Sequence, residues 1–238
     1  MAYRILSKVK KSLLTEWVTK GVNATRATLG VYPNTLNFYL YPKKAKQPVP
    51  WAHTRRDEHE SVHLYVDSRF PLDKFIKDWT IYHEIAHLAI PYLGSKYSWL
   101  SEGFASFMQY QIMHQAGILA GSLHSNYHQK ISPHLRWFNS ELTAASIAQR
   151  LMKNEQYPAA YWGSAYFFVL ADKQLRQAHQ VNLVELISHY QDCCRQNDNN
   201  VHDLMQSLDN MLETKILANL LQQYENAAAK TLYPEHFE

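Results

Sequence analysis

The chain has 238 residues, 46% of them hydrophobic and 19% charged, a composition ordinary for a globular protein long enough to bury a sizeable core. A net charge of only +3 lacks the concentrated basic surface that nucleic-acid binding needs. Charge recurring at Arg4, Lys8, Lys10, Lys11 and Glu16 breaks any apolar leader, and no run is long enough to span a bilayer, so the expectation is a cytoplasmic protein with neither nucleic-acid nor membrane partners.

Residues 3 to about 28 read as an amphipathic helix, with Lys8, Lys10 and Lys11 on its wet face. Leu36, Phe38 and Leu40 then alternate with Asn37, Tyr39 and Tyr41, the period of a strand. Val49 to Arg56 forms a second candidate strand, which Pro48 and Pro50 mark as a sheet edge. Val62, Leu64 and Val66 alternate with Ser61, His63 and Tyr65 in a third, leading to Pro71 at the head of a helix.

That helix carries the most informative pattern in the chain. Leu72, Phe75, Ile76, Trp79, His83, Ala86, His87 and Ile90 form one stripe, and Ile81, Ile85 and Leu88 another, as in a helix buried on two sides. From Trp79 to Ser95 the only formal charge is Glu84. His83 and His87 are one turn apart on one face and can reach a single metal ion, while Glu84 can address a water on that metal without ligating it. Pro91 and Gly94 end the helix, Ser98 can cap the next, and Glu102 falls in its first turn, with fourteen residues between it and the second histidine. His83, His87 and Glu102 would leave one coordination position open, which separates a catalytic zinc site from a structural one. The plain alternatives are two core histidines bonded to carbonyls and an acid placed by the helix dipole; they leave buried Glu84 without a reason.

Beyond residue 99 strand signals vanish, and helices are expected near 100–116, 143–153, 160–178, 182–196 and 212–228. His124 and His128 repeat the i, i+4 spacing without an adjacent glutamate and read as a solvated face. Cys193 and Cys194 adjoin in a helical stretch, where no ordinary unstrained disulfide joins them, and no Cys-x-x-Cys exists for a zinc finger. The expected fold is α+β: a small mixed-sheet lobe over residues 1–99 and an all-helical lobe over 100–238, with the metal helix at the junction of one catalytic domain.

His83-Glu84-Ile85-Ala86-His87 and Trp99-Leu100-Ser101-Glu102-Gly103-Phe104-Ala105 together resemble the gluzincin metallopeptidases, the thermolysin-like group that includes aminopeptidase N-like enzymes. The resemblance is specific over residues 80–107 and extends loosely to Tyr161-Trp162-Gly163. It implies a thermolysin-like zincin fold, one zinc ion on His83, His87 and Glu102, Glu84 as general base and Tyr161 as the hydroxyl that steadies the oxyanion. It also implies that an extended peptide pairs with the edge strand at Trp51, Ala52, His53 and Thr54.

The departures are specific. The spacing from His87 to Glu102 is shorter than in the aminopeptidase N group, and Tyr161 stands two rather than three residues before Gly163, which keeps Tyr157 and Tyr166 as competitors. Gln109 occupies a position where the family often has an acid. The edge segment lacks the family's Gly-x-Met-Glu-Asn acid that holds a free amine, so the resemblance favours a peptidase without specifying an aminopeptidase. The expected activity is zinc-dependent hydrolysis of peptide bonds in a peptide or protein substrate. The alternatives are a non-catalytic zinc-binding protein that docks peptides, and a zinc amidase acting on a non-peptide amide.

Overall fold

The computed structural model describes residues 1–7, 12–195 and 200–234. Its elements run β1 (Tyr3–Ser7), α1 (Ser12–Leu29), β2 (Leu36–Pro42), β3 (Trp51–Arg56), β4 (Glu60–Val66), α2 (Leu72–Lys77), α3 (Thr80–His87), α4 (Ser98–Gln115) and α5 (Leu123–Ile131). They continue with α6 (Ala144–Lys153), α7 (Tyr157–His179), α8 (Leu183–Cys193), α9 (Val201–Asn210) and α10 (Ile216–Asn226). The fold is α+β: a four-stranded mixed sheet in the order β1-β2-β4-β3, followed among the described residues by helices.

β1 and β2 pair in parallel, α1 being the crossover between them, and β2 pairs in parallel with β4. β3 returns antiparallel to β4 and lies at the sheet edge, as its flanking prolines suggest. Leu36, Phe38, Leu40, Val62, Leu64 and Val66 are buried on the inner face, as the period-two reading of β2 and β4 expects, while Asn37, Ser61 and His63 between them are buried as well.

Several expectations need correction. The N-terminal segment is a strand before it is a helix: Tyr3 and Ile5 are half-buried while Arg4 and Leu6 are exposed, a period of two stabilised by pairing with β2. Lys8, Lys10 and Lys11 lie outside the described residues. The helix expected from Pro71 to Ile90 is two helices. Asp78 leaves helical geometry after α2, and its carboxylate accepts the Thr80 N–H at 2.9 Å, starting α3 afresh. α3 also stops at His87, because the N–H groups of Leu88 and Ala89 close onto the carbonyls of Ile85 and Ala86, one residue short of helical register.

The helices α5 and α9 were not expected, and each is short with a small buried face, Tyr127 and Ile131 in the one, Leu204, Met205 and Leu208 in the other. The last long helix starts at Ile216 rather than near 212, since Asp209 accepts the N–H groups of Leu217 and Ala218 and caps it there. Finally, Cys193 and Cys194 are joined by a disulfide. The helix ends between them, and Cys194 (φ −140°, ψ 12°) leaves the geometry on which the contrary expectation rested.

All eight residues of α3 are buried. α1 crosses it closely: a β-carbon on Gly21 would stand 2.8 Å from the end of the Ile81 side chain. Tyr32 donates to the Ile85 carbonyl at 3.1 Å, and Gln191 on α8 donates to that of Ala89. On the other side α4 packs on α7 with backbones nearly touching, since a β-carbon on Gly103 would fall 2.7 Å from the Ser164 carbonyl carbon. Gly103→Ala should therefore destabilise the fold by about 1–3 kcal/mol through overpacking, read as a lowered urea midpoint in the metal-free protein. An unchanged midpoint would show that α4 and α7 are free to separate.

Candidate metal centre and cleft

α3 and α4 bring three side chains to one point. His83 and His87 lie one turn apart on α3, and their Nε2 atoms are 3.2 Å from each other. Glu102 reaches them from α4, its Oε2 standing 3.0 Å from His83 Nε2 and 3.5 Å from His87 Nε2. Ligands about 2.0–2.1 Å from zinc at tetrahedral angles stand roughly 3.3 Å apart, so the three atoms already outline one face of such a site. Among the described residues this is the one group of three or more His, Cys, Asp or Glu side chains so arranged. Glu102 is the fifth residue of α4 and so lies past the first turn rather than within it.

The far side of each imidazole is held as well. His83 Nδ1 is 2.8 Å from Gln109 Oε1, an atom that only accepts, so Nδ1 donates there and Nε2 is the nitrogen turned toward Glu102. His87 Nδ1 is 3.1 Å from Ser101 Oγ, and the main-chain oxygen of His87 accepts from Arg56. Gln109 is thus the partner at the position noted in the sequence. Ser101 had no signal of its own beyond its place beside Glu102.

The electrostatics follow from charges confined in an apolar wall. Burial works to raise the Glu102 carboxyl, but the His87 and His83 imidazoles outweigh it and hold the group well below the usual carboxylate range. For His87 burial works downward, and Glu102 prevails and raises it. Glu84, buried on the same helix and not among the three converging atoms, is pushed up chiefly by burial.

These residues open on a cavity of about 1100 Å³ bounded by α3, α4, α7 and β3. Trp51, Ala52, His53 and Thr54 all line it, on a strand whose one sheet neighbour is β4. Tyr161 lines it too, its ring 5.9 Å from that of His83 and nearly parallel. Burial, then the nearby Glu102 and Glu84 carboxylates, raise its hydroxyl far above the usual tyrosine value. Of its competitors, Tyr157 is 44% exposed one turn earlier, and Tyr166 is buried against Tyr233; neither lines the cavity. His124 and His128 are exposed on α5, away from the converging group.

No family model matches the chain, and no curated protein matches it. Solved structures do. A mutant M1 zinc metallopeptidase from Deinococcus radiodurans, bound to a Tyr-Ser-Ala substrate, superposes with a TM-score of 0.54 at 14% identity over 92% of this chain and 45% of that one. A two-domain M1 zinc metallopeptidase mutant bound to L-tryptophan gives 0.56 at 16% identity, over 94% of this chain and 48% of that one. The M1 zinc metallopeptidase from Deinococcus radiodurans gives 0.53 at 15% identity, over 94% and 48%. Identity this low speaks for the fold alone, and the chain spans about half the length of these neighbours.

The donor set, two imidazole nitrogens and a carboxylate oxygen, suits zinc. Purified protein should bind one zinc ion per chain, and His87→Ala or Glu102→Ala should lose it, as read by metal content after dialysis. Gln109→Leu should keep the ion but weaken its binding about 10–100-fold in competitive chelator titration, since the His83 ring loses its anchor. Undiminished affinity there would mean that packing alone orients His83.

Proposed function

We propose that this chain is a zinc-dependent metallopeptidase of the thermolysin-like class, residues 1–99 and 100–238 forming the two lobes of one catalytic domain with the cleft between them. One observation carries the reading: Glu102 and the two imidazoles stand at tetrahedral spacing on separate helices, with an unligated buried carboxylate, Glu84, on the same helix as the histidines. A structural zinc site closes its fourth position with protein, whereas here the open side of the triad is a large cavity. The fold shared with M1 zinc metallopeptidases supports the same reading.

Zinc bound to this triad would supply Lewis acidity, making water more acidic and polarising a carbonyl. The chain's own residues supply the rest. Glu84 takes a proton from water as its oxygen attacks the scissile carbonyl carbon, then returns that proton to the amide nitrogen as the C–N bond breaks. Its burial suits it to both halves of that transfer, because a raised carboxyl holds a proton more readily than a solvated one. Tyr161, neutral and facing the cavity, donates its hydroxyl to the carbonyl oxygen where negative charge develops.

β3 orients the substrate. It is an edge strand that lines the cavity, so an extended peptide can add to it through backbone hydrogen bonds that ignore side-chain identity. Trp51, Ala52, His53 and Thr54 offer no carboxylate to hold a free amine, and we propose action that does not depend on a substrate's N-terminus.

A mixed peptide library should be cut by the zinc-loaded protein and left intact after chelation. Glu84→Gln should keep the metal and lose turnover, and Tyr161→Phe should keep the metal and lower kcat about 10²–10³-fold with little change in KM. Full activity in the Glu84→Gln protein would remove Glu84 as the base. A native, zinc-replete protein that cuts nothing in the library would leave a peptide-docking protein or an amidase instead.

A further inference from the structure

The cleft holds a positive charge that the hydrolytic residues do not use. Arg56 at the end of β3, Glu60 at the start of β4 and Arg195 just past α8 all line the same cavity as His83, Glu84 and Glu102. Arg195 pairs with Glu60, and the two side chains are only 8% and 10% exposed. Its other terminal nitrogen donates to Gln191 at 3.1 Å. The second carboxylate oxygen of Glu60 has no hydrogen-bond partner, so Glu60 is not bonded to Arg56. Arg56 donates to the main-chain oxygen of His87 and has no ion-pair partner among the described residues.

Within this buried cluster two guanidinium groups face one carboxylate, leaving one cation in excess on a part-buried side chain; Asp57 and Glu58, which line the same cavity, are exposed and form no ion pair with it. Holding such a charge away from water is unfavourable, and an incoming anion would relieve it. A guanidinium presents five N–H donors in a planar fork that matches a carboxylate, and one recorded bond leaves most of that fork free. Arg56 also grips the backbone of His87, and both residues line one cavity, which keeps its guanidinium a short stretch of peptide from the converging triad. Glu60 could not take the opposite role of holding an ammonium group. Its free oxygen is sealed from solvent, and its other oxygen is taken by Arg195.

We propose that Arg56, backed by the Glu60–Arg195 pair, is a carboxylate-binding subsite that selects substrates with an anionic group a residue or two from the bond to be cut. The proposal rests on the peptidase reading and gives that reading a substrate class. The carboxylate is either a peptide's free C-terminus or the side chain of an internal Asp or Glu.

Two peptide series separate these sources, one comparing a free C-terminal acid with its amide, the other an internal Glu with Gln. With the zinc-loaded full chain, kcat/KM should be at least about tenfold higher for the acid member of one series, and that series identifies the source. In Arg56→Gln the ratio should fall to near one, and in Arg56→Lys to a value between, because the charge remains but the fork is lost. Binding without turnover is measured by calorimetry on the Glu84→Gln protein. The probes are N-acetylphenylalanine against its amide, and N-acetylglutamic acid amide against N-acetylglutamine amide. An acid preference of about tenfold is expected in one pair, and its loss on adding Arg56→Gln. If no peptide is cut yet this preference holds, the peptidase reading fails and the subsite stands. Equal handling of acid and neutral members in every pair overturns the subsite, as does an acid preference that survives Arg56→Gln.

Discussion

Three of the eight residues of α3 carry imidazole or carboxyl groups, and every residue of that helix is buried. Polar and ionisable groups in such a place are unfavourable by several kcal/mol unless each finds a partner. The arrangement around α3 answers that demand for its two histidines. Gln109 and Ser101 take the outer nitrogens of the two rings, and the inner nitrogens turn toward the Glu102 carboxylate. Those inner nitrogens also stand 3.2 Å from each other, close enough for one cation to join both to the carboxylate.

Meeting that demand dictates much of the packing. Glu102 can reach the histidines only if α4 is held at a fixed position along α3, and α4 is held by α7. Gly103, the next residue, lies flat against the backbone at Ser164, and Ser164 is three residues beyond Tyr161. One close crossing therefore sets both the third ligand and the tyrosine that faces it. The edge strand is positioned independently, by β4 on one side and by the Arg56 contact with the end of α3. The cleft is thus assembled from a sheet edge, a buried helix and a helix pair, each placed by its own contacts.

Local pattern and long-range pairing divide the fold unevenly. The alternation in β2 and β4 and the histidine spacing on α3 reflect short-range geometry, so reading along the chain found them. β1 escaped because five residues with two half-buried side chains carry too weak a period, and what stabilises them is a partner strand over thirty residues away. The break at Asp78 escaped because the apolar stripe continues across it, while a single side-chain hydrogen bond restarts the helix. At Cys193 and Cys194 the expectation failed with its premise, since the helix ends between them.

His83, Glu84, His87 and Glu102 were legible as a candidate set from residue type and spacing, because metal-ligand geometry on a helix repeats every turn whatever surrounds it. The sequence also showed that β3 would be an edge, since proline cannot donate to a ladder. It left three tyrosines open, gave Ser101 no role and said nothing of Arg56, Glu60 and Arg195 as a group. Those were decided by how β3, β4, α7 and α8 come together, contacts between residues up to 135 positions apart that no local period encodes.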